Sequence, residues 1–158
     1  MDYVSIFSQA AVQPGQYDDD LLRLPAWTGA DWGLLLDRSQ RVPVRTAEVV
    51  IQRGGTDRDL LFVASGVFEV GITYVDGMSL SPLAKIQRGS VIGEQSFFDA
   101  LPRSANVWAV TDGELLRLPH AAYEAFAGEH PGLARDFVFA VGRVLSMRLR
   151  NTTVRIRR

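Results

Sequence analysis

Short apolar runs, separated by Gly, Asp and Pro at intervals of roughly ten residues, fill the chain from residue 40 to residue 118. This pattern is typical of an all-β sandwich, roll or barrel. Leu60–Ala64 carries no polar side chain and predicts a strand buried on both faces. Asp76-Gly77 predicts a hairpin turn, and Pro82 predicts an edge or bulged strand. About eight strands are expected, over 41–44, 49–52, 60–64, 67–74, 79–87, 106–110 and 114–119 and between Gly89 and Gly93.

Residues 1–39 are expected to form a helical preface to these strands. Helix-like apolar spacing over 3–12 predicts a first helix. A second helix is predicted over 32–36, because Thr28 and Asp31 precede it at the spacing of a capping pair. Its apolar side chains share one face, so we expect them to pack on the sheet.

Residues 120–158 are expected to form C-terminal helices and a basic tail. One helix is predicted over 120–127, ended by Gly128, and a longer helix from Pro131 to Asn151. The longer helix has apolar residues on more than one face, so some of them must meet a surface other than the sheet. An ordinary amphipathic helix packed only on its own domain is the alternative. The tail is locally very basic, with Arg143, Arg148, Arg150, Arg155, Arg157 and Arg158. The first three are expected to be solvated at the C-terminus of the helix, where cations suit the helix dipole.

Composition narrows the functional classes. A length of 158 residues suits a single domain. The net charge of −1 gives no basic excess for nucleic-acid binding. The chain has no cysteine, so disulfides and cysteine-ligated metals are excluded. No segment is apolar for long enough to cross a bilayer, and no signal-like N-terminus is found, so we expect a cytoplasmic protein without membrane contact. Hydrolase and nucleotide-loop motifs are missing, and the two histidines, His120 and His130, are far apart in sequence, so we expect neither catalysis nor a metal.

The stretch 88–107 combines an anion-binding turn, an acceptor and a cation. Gly93 permits a sharp turn ahead of Glu94, where a short helix is predicted to begin. The N–H groups of residues 94–97 are then expected to lie free at a helix N-terminus, which favours a phosphate. Pro102 is expected to end this helix, and Arg103 to bring its guanidinium back over the same anion with paired hydrogen bonds.

These residues resemble the phosphate-binding cassette of the cyclic nucleotide-binding domain family, because Gly93-Glu94 and then Pro102-Arg103-Ser104-Ala105 match it in order and spacing. The resemblance implies that Glu94 binds the ribose 2′-hydroxyl and that Arg103 pairs with the cyclic phosphate. It also implies that Ser104 adds a hydroxyl near phosphate or base and that the N–H of Ser96 reaches the phosphate. The candidate binding residues are therefore Gly93, Glu94, Gln95, Ser96, Arg103, Ser104 and Ala105.

The resemblance covers about residues 40–145 and implies a β-roll, also described as a jelly roll or double-stranded β-helix, with a C-terminal helix that acts as lid and dimer seam. Two departures from the family pattern, Ala47-Glu48 and Gly54-Gly55-Thr56-Asp57, are not expected to touch the cassette. Asp57-Arg58-Asp59 is expected to be an exposed corner.

The resemblance implies a regulatory module that binds a cyclic nucleotide and responds through its C-terminal helix to an output partner that the sequence does not name. The resemblance also implies adenine rather than guanine, because in the family Thr after the arginine is the commoner companion of guanine recognition and here Ser104 stands at that position. Three parts are expected, namely the preface 1–39, a β-roll 40–119 with its cassette at 89–107, and the helices and tail 120–158. Two alternatives stay open: a degenerate β-roll scaffold that binds no nucleotide, and the sensor fragment of a DNA-binding transcription regulator.

Overall fold

A computed structural model of the chain describes residues 1–10, 20–72, 74–75, 78–79 and 82–156. Within these ranges, ten strands lie between two pairs of helices, and one short helix interrupts the strands. The helices are α1 Tyr3–Ala10, α2 Gly29–Leu36, α3 Glu94–Asp99, α4 His120–Glu129 and α5 Pro131–Ile156. The strands are β1 Gln40–Val44, β2 Val49–Ile51, β3 Leu60–Ser65, β4 Phe68–Gly71, β5 Tyr74–Val75, β6 Met78–Ser79, β7 Pro82–Ile86, β8 Val91–Ile92, β9 Asn106–Ala109 and β10 Gly113–Leu118.

Eight of the strands form two antiparallel four-stranded sheets, with the orders β1-β10-β3-β8 and β2-β9-β4-β7. This confirms the mainly β fold with flanking helices. β5 and β6 pair with each other, and the turn predicted at Asp76-Gly77 lies outside the described residues. Pro82 begins β7, which is an edge strand whose register with β4 shifts near Gly71, as a proline without a backbone N–H requires.

Two apolar clusters hold the sheets, and strand β3 contributes to both. Leu61 and Val63 point into the cluster between the two sheets. Leu60 and Phe62 point the other way, into the cluster that the helices cover. The predicted burial of this strand on both faces is therefore confirmed, because Leu60–Ala64 is buried throughout.

The N-terminal helices pack on the first sheet. Thr28 caps α2, with its side chain accepting from the Asp31 N–H and Asp31 accepting in return from the Thr28 N–H, so the predicted capping pair is present. Trp32 is fully buried on the sheet-facing side. Helix α1 is attached by Tyr3, whose hydroxyl donates to the buried carboxylate of Glu114 on β10. The predicted helix over 3–12 is described only to Ala10; its last two residues lie outside the described part.

The C-terminal helices differ from prediction at their ends. Gly128 was expected to end α4, but it lies within the helix, which ends at Glu129. Helix α5 continues past Asn151 to Ile156. Its apolar residues divide between two surfaces, since Phe137, Val141 and Val144 are fully buried while Phe139 is 69% exposed and Leu149 is 67% exposed. Only one face of this helix therefore packs against the sheet.

Candidate functional site

The turn between β8 and α3 requires glycine at residue 93. Gly93 has φ of +90°, a conformation that favours glycine. A Cβ added there would lie 2.6 Å from Nη1 of Arg103 and 2.9 Å from the carbonyl oxygen of Asp59. Gly93 therefore gives the chain its turn and lets the guanidinium of Arg103 approach the backbone.

Helix α3 opens at Glu94, as predicted, with Gly93 as its N-cap. The N–H of Phe97 was expected to be free, but it donates to the Gly93 carbonyl at 3.3 Å, so that expectation was wrong. The N–H groups of Glu94, Gln95 and Ser96 have no acceptor within the described ranges. Three donors therefore remain at the positive end of the helix, where an anion is favoured.

The guanidinium of Arg103 is buried, with 3% of its side chain exposed. Its Nη2 donates to Oδ2 of Asp57 at 2.6 Å and to the Asp59 carbonyl at 2.7 Å. Its Nη1 donates to the Gly93 carbonyl at 2.9 Å, and its Nε to Oδ1 of Asp57 at 3.4 Å. A guanidinium has five N–H donors, so one hydrogen on Nη1 is left without an acceptor among the described residues. Among the described residues Arg103 therefore has one N–H available for an anion, and the paired hydrogen bonds expected from the sequence stay a prediction.

The loop 54–59 fixes Arg103 through its backbone as well. The N–H of Gly54 donates to the Arg103 carbonyl and the N–H of Arg103 to the Gly55 carbonyl, both at 2.8 Å. The expectation that the departure at residues 54–57 leaves the cassette untouched was wrong. The exposed corner expected at residues 57–59 is confirmed for Asp57, whose side chain is 56% exposed, and is wrong for Arg58 and Asp59, which are half-buried. Asp57 and the carbonyl of Asp59 also contact the buried guanidinium, which was not expected.

The pKa values of the two carboxyl groups in this loop are shifted in opposite directions. Hydrogen bonds from Arg103 hold the pKa of Asp57 below its ordinary value, although partial burial acts against them. Burial, and then repulsion from Asp57, raises the pKa of Asp59. Asp57 is therefore the carboxylate that offsets the charge of Arg103.

Glu94 faces the same region but pairs with the C-terminal helix. Its Oε2 accepts from Nη1 of Arg148 at 2.8 Å, and only 10% of its side chain is exposed. Nη2 of Arg148 also donates to Oγ of Ser90 at 2.9 Å and to the carbonyl of Val91 at 2.7 Å. Arg148 was expected to be a solvated cation at a helix end; that was wrong, since 16% of its side chain is exposed. It joins α5 to the cassette and to Asp20, whose Oδ2 is 3.5 Å away.

The remaining candidate residues surround the same turn. Oγ of Ser104 donates to Oε1 of Gln95 at 2.6 Å, which links the two halves of the cassette. Ser96 is buried and Ala105 is half-buried. All seven predicted residues line one cavity of about 430 Å³. Its other wall is the end of α5, represented by Arg148, Asn151 and Thr152.

The residues that sequence reasoning missed are Asp57, Arg58, Asp59 and Arg148. Each reaches the cassette from a distant part of the chain, and none carried a local signal beyond its charge. The Gly-Gly turn at 54–55 was the one available pointer to the loop, because a Cβ on Gly55 would lie 3.5 Å from Cγ of Arg103.

Among the residues that the structure describes, no group of three or more His, Asp or Glu side chains could hold a metal ion. Within the same ranges, no helix is both long and apolar enough to span a membrane.

A family model described as the cyclic nucleotide-binding domain matches residues 41–130, which is more than half of the chain. The chain belongs to the cyclic nucleotide-binding domain family. In this cyclic nucleotide-binding domain the matched range contains the whole cassette, from Gly89 to Val107, and both sheets apart from the first residue of β1.

Solved structures and a curated relative agree with this assignment. A cyclic nucleotide-binding domain from Methylobacillus flagellatus KT superimposes with a TM-score of 0.80 at 21% identity, over 98% of this chain and 82% of that one, which shows the fold. The catabolite activator protein of Thermus thermophilus gives a TM-score of 0.69 at 28% identity, over 84% and 60% of the two chains. The Pycsar effector protein BcPycTIR of Burkholderia cepacia is 28% identical over 123 residues, or 72% of this chain. The chain spans only 39% of the length of that relative.

Proposed function

We propose that this domain is a regulatory module that binds a purine cyclic nucleotide, cAMP in preference to cGMP, and responds through α5. The observation that carries this proposal is the single cavity that brings Glu94, Arg103 and three open N–H groups to one wall and the end of α5 to the other. Family membership supports the ligand class, and the proposed boundaries of the module are 1–39, 40–119 and 120–158.

The phosphate is proposed to bind at the N-terminus of α3. The N–H groups of residues 94–96 and the remaining Nη1 hydrogen of Arg103 supply the donors. The charged residues that line the cavity are Asp20, Lys85, Glu94, Arg103 and Arg148. Asp57 offsets the charge of Arg103 from outside the cavity, so the lining charges balance. The proposed phosphate site therefore depends on the hydrogen-bond donors at the N-terminus of α3 and on Arg103 rather than on a net positive charge.

The ribose hydroxyl is proposed to donate to Glu94, a carboxylate that has further acceptor positions beside Arg148. The base is proposed to lie against α5, where Asn151 lines the cavity. An asparagine amide carries a donor and an acceptor side by side, which is the pattern that pairs with N6 and N7 of adenine. Together with Ser104, this supports adenine over guanine.

The response is proposed to be a population shift of α5. Because Arg148 already ties α5 to Glu94, a ligand that changes the surroundings of Glu94 changes the stability of the docked helix. We propose that binding occurs without turnover of the nucleotide, in keeping with a regulatory family.

The outer face of α5 is proposed to form a homodimer seam. Phe139, Gly142, Ser146 and Leu149 recur at alternating spacings of three and four along the helix. This is the spacing of a packed helix pair, and the two large members are exposed. Leu149→Glu should then lower the mass measured by analytical ultracentrifugation from dimer to monomer; a wild-type monomer at high concentration would contradict the seam.

The alternative is a scaffold that retains the fold and binds no nucleotide. Thermal unfolding separates the two, because a ligand that binds only the folded state raises Tm by mass action. We expect cAMP at micromolar concentration to raise the Tm of the wild-type chain and to leave unchanged that of a variant with Arg103→Ala. No shift with cAMP, cGMP, cCMP or cUMP would favour the scaffold.

The other alternative is that the chain is the sensor part of a longer, DNA-binding transcription regulator. The match to the catabolite activator protein covers 60% of that chain, so a longer protein with an output domain after α5 is compatible with the same site. Sequencing the native gene beyond the codon for Arg158 tests this alternative directly.

A further inference from the structure

The side chain of Arg58 crosses from the loop 54–59 to the C-terminal end of α3. Its Nε donates to the carbonyl of Ser96 at 3.1 Å and its Nη2 to the carbonyl of Phe97 at 2.8 Å. The last carbonyls of a helix have no partner within the helix, and they form its negative end. The carbonyl of Ser96 already accepts from the N–H of Ala100 at 3.0 Å. The guanidinium of Arg58 therefore adds a second, charge-assisted hydrogen bond to it and another to the carbonyl of Phe97.

Helix α3 needs such support because it has only six residues. Helices much shorter than about 12 residues are marginal on their own in water. On its buried side, Phe97 packs against the rings of His120 and Tyr123, with centroids 5.3 and 5.1 Å away. Near its first turn the helix is also held by the Glu94–Arg148 ion pair and by the hydrogen bond from Ser104 to Gln95. The two bonds from Arg58 supply a further attachment, on the carbonyls of its C-terminal half.

We propose that Arg58 is a positioning residue for ligand binding, which holds α3 by its carbonyl end so that the N–H groups of residues 94–96 keep their direction into the cavity. This inference rests on the proposed function, because those N–H groups are the proposed phosphate donors. Arg58 itself donates to carbonyls on the opposite end of the helix and acts through α3.

The neighbours of Arg58 in the loop strengthen the inference. The side chain of Asp57 and the carbonyl of Asp59 both bind the guanidinium of Arg103. Three consecutive residues therefore hold the two proposed phosphate-binding parts of the cassette. Arg58 holds helix α3, and its two neighbours hold the guanidinium of Arg103. The loop sets the relative position of these parts before a ligand arrives.

The test compares Arg58→Gln, Arg58→Lys and the control Arg53→Gln. Arg53 belongs to the adjacent turn, is exposed, and has no side-chain hydrogen bond within the described ranges, so its substitution removes the same charge without touching α3. Amide hydrogen exchange of residues 94–100 is measured by NMR on the protein without ligand. The Kd for cAMP is measured by calorimetry, and Tm is recorded for each variant.

For Arg58→Gln we expect faster exchange in α3 and a Kd weakened by about tenfold, since two charge-assisted hydrogen bonds are lost. Arg58→Lys should recover part of the affinity, because one ammonium group can reach one of the two carbonyls. Arg53→Gln should match the wild type in both measurements.

Three results would overturn the inference. Unchanged exchange in α3 for Arg58→Gln would show that Arg58 does not hold the helix, whether or not a ligand binds. An equal loss of affinity in Arg53→Gln would assign the effect to charge alone. A wild-type chain that binds no cyclic nucleotide while exchange in Arg58→Gln is accelerated would instead refute the proposed function and, with it, the role in binding, leaving only a structural contact.

Discussion

Glu94, the first residue of α3, and Arg148, on α5, form an ion pair of 2.8 Å that joins the candidate site to the C-terminal helix. Both side chains are largely removed from solvent, and Arg148 makes two further bonds to Ser90 and Val91. The carboxylate proposed to receive the ribose is therefore the group that holds α5. A change at the site and a change in the docking of the helix are, for this reason, coupled through one side chain.

Arg148→Met should loosen α5 from the cassette. It leaves the buried carboxylate of Glu94 without its cation, which costs about 1–3 kcal/mol of unfolding free energy. Chemical denaturation measures this cost, and amide exchange along residues 145–156 locates it. The control Arg150→Gln removes an exposed charge two residues further along the same helix and should change stability by less than about 0.5 kcal/mol.

The double variant Glu94→Gln with Arg148→Met tests whether the two residues act as a pair. Removing both should cost less than the sum of the single changes, because neither leaves a buried charge behind. Additive losses would show that the ion pair does not link α5 to the site.

Gly93→Ala should damage the site without unfolding the chain. The added methyl group would lie 2.6 Å from Nη1 of Arg103 at a φ of +90°, so both the turn and the guanidinium must move. We expect a loss of about 1–3 kcal/mol in stability and a weaker Kd for cAMP. In the control Gly128→Ala, nothing lies within 4 Å of the new methyl group, inside a helix. That change should stabilise by roughly 0.5–1 kcal/mol, and a comparable gain for Gly93→Ala would refute the steric account.

Asp57 and Asp59 should have opposite effects on the pH dependence of stability. The pKa of Asp57 is lowered in the folded chain, so its contribution is present above the ordinary carboxyl value and is lost as pH falls through the folded value. The pKa of Asp59 is raised, so its contribution is present below the ordinary value and is lost as pH rises through the folded value.

Urea denaturation between about pH 3 and pH 7 measures both effects. Asp57→Asn should lower stability near neutral pH and flatten its loss in acid. Asp59→Asn should leave stability near neutral pH unchanged or higher. The same sign of change for both variants would contradict the assignment of Asp57 as the partner of Arg103.

Local patterns predicted the strands, the capped helix α2 and the turn at Gly93, because each depends on neighbouring residues. Arg103 and Glu94 were located through a motif within residues 93–105, although their partners were not. Those partners are remote: Asp57 bonds to Arg103 across a separation of 46 residues, and Arg58 to Ser96 across 38. Periodicity carries no information about which charged side chains meet at such separations. For this reason the pairing of Asp57 with Arg103 was not predicted from the sequence, and Arg148 was wrongly expected to be solvated.

The same limit explains the revised role of Arg103. Its charge and position suggested a free two-pronged donor, and only the folded chain shows that Asp57, Asp59 and Gly93 accept most of its hydrogens. Substituting Arg103 therefore also leaves these acceptors unpaired, so Arg103→Lys, which keeps the charge, is the more informative variant.

Isothermal titration of the wild-type chain and of Arg103→Lys with cAMP, cGMP, cCMP and cUMP tests the central proposal most directly. We predict saturable binding of cAMP by the wild type, weaker binding of cGMP, and a Kd for cAMP at least about tenfold weaker in Arg103→Lys, since its fork geometry is lost. No saturable heat with any of the four nucleotides, or a Kd unchanged by the substitution, would contradict the account.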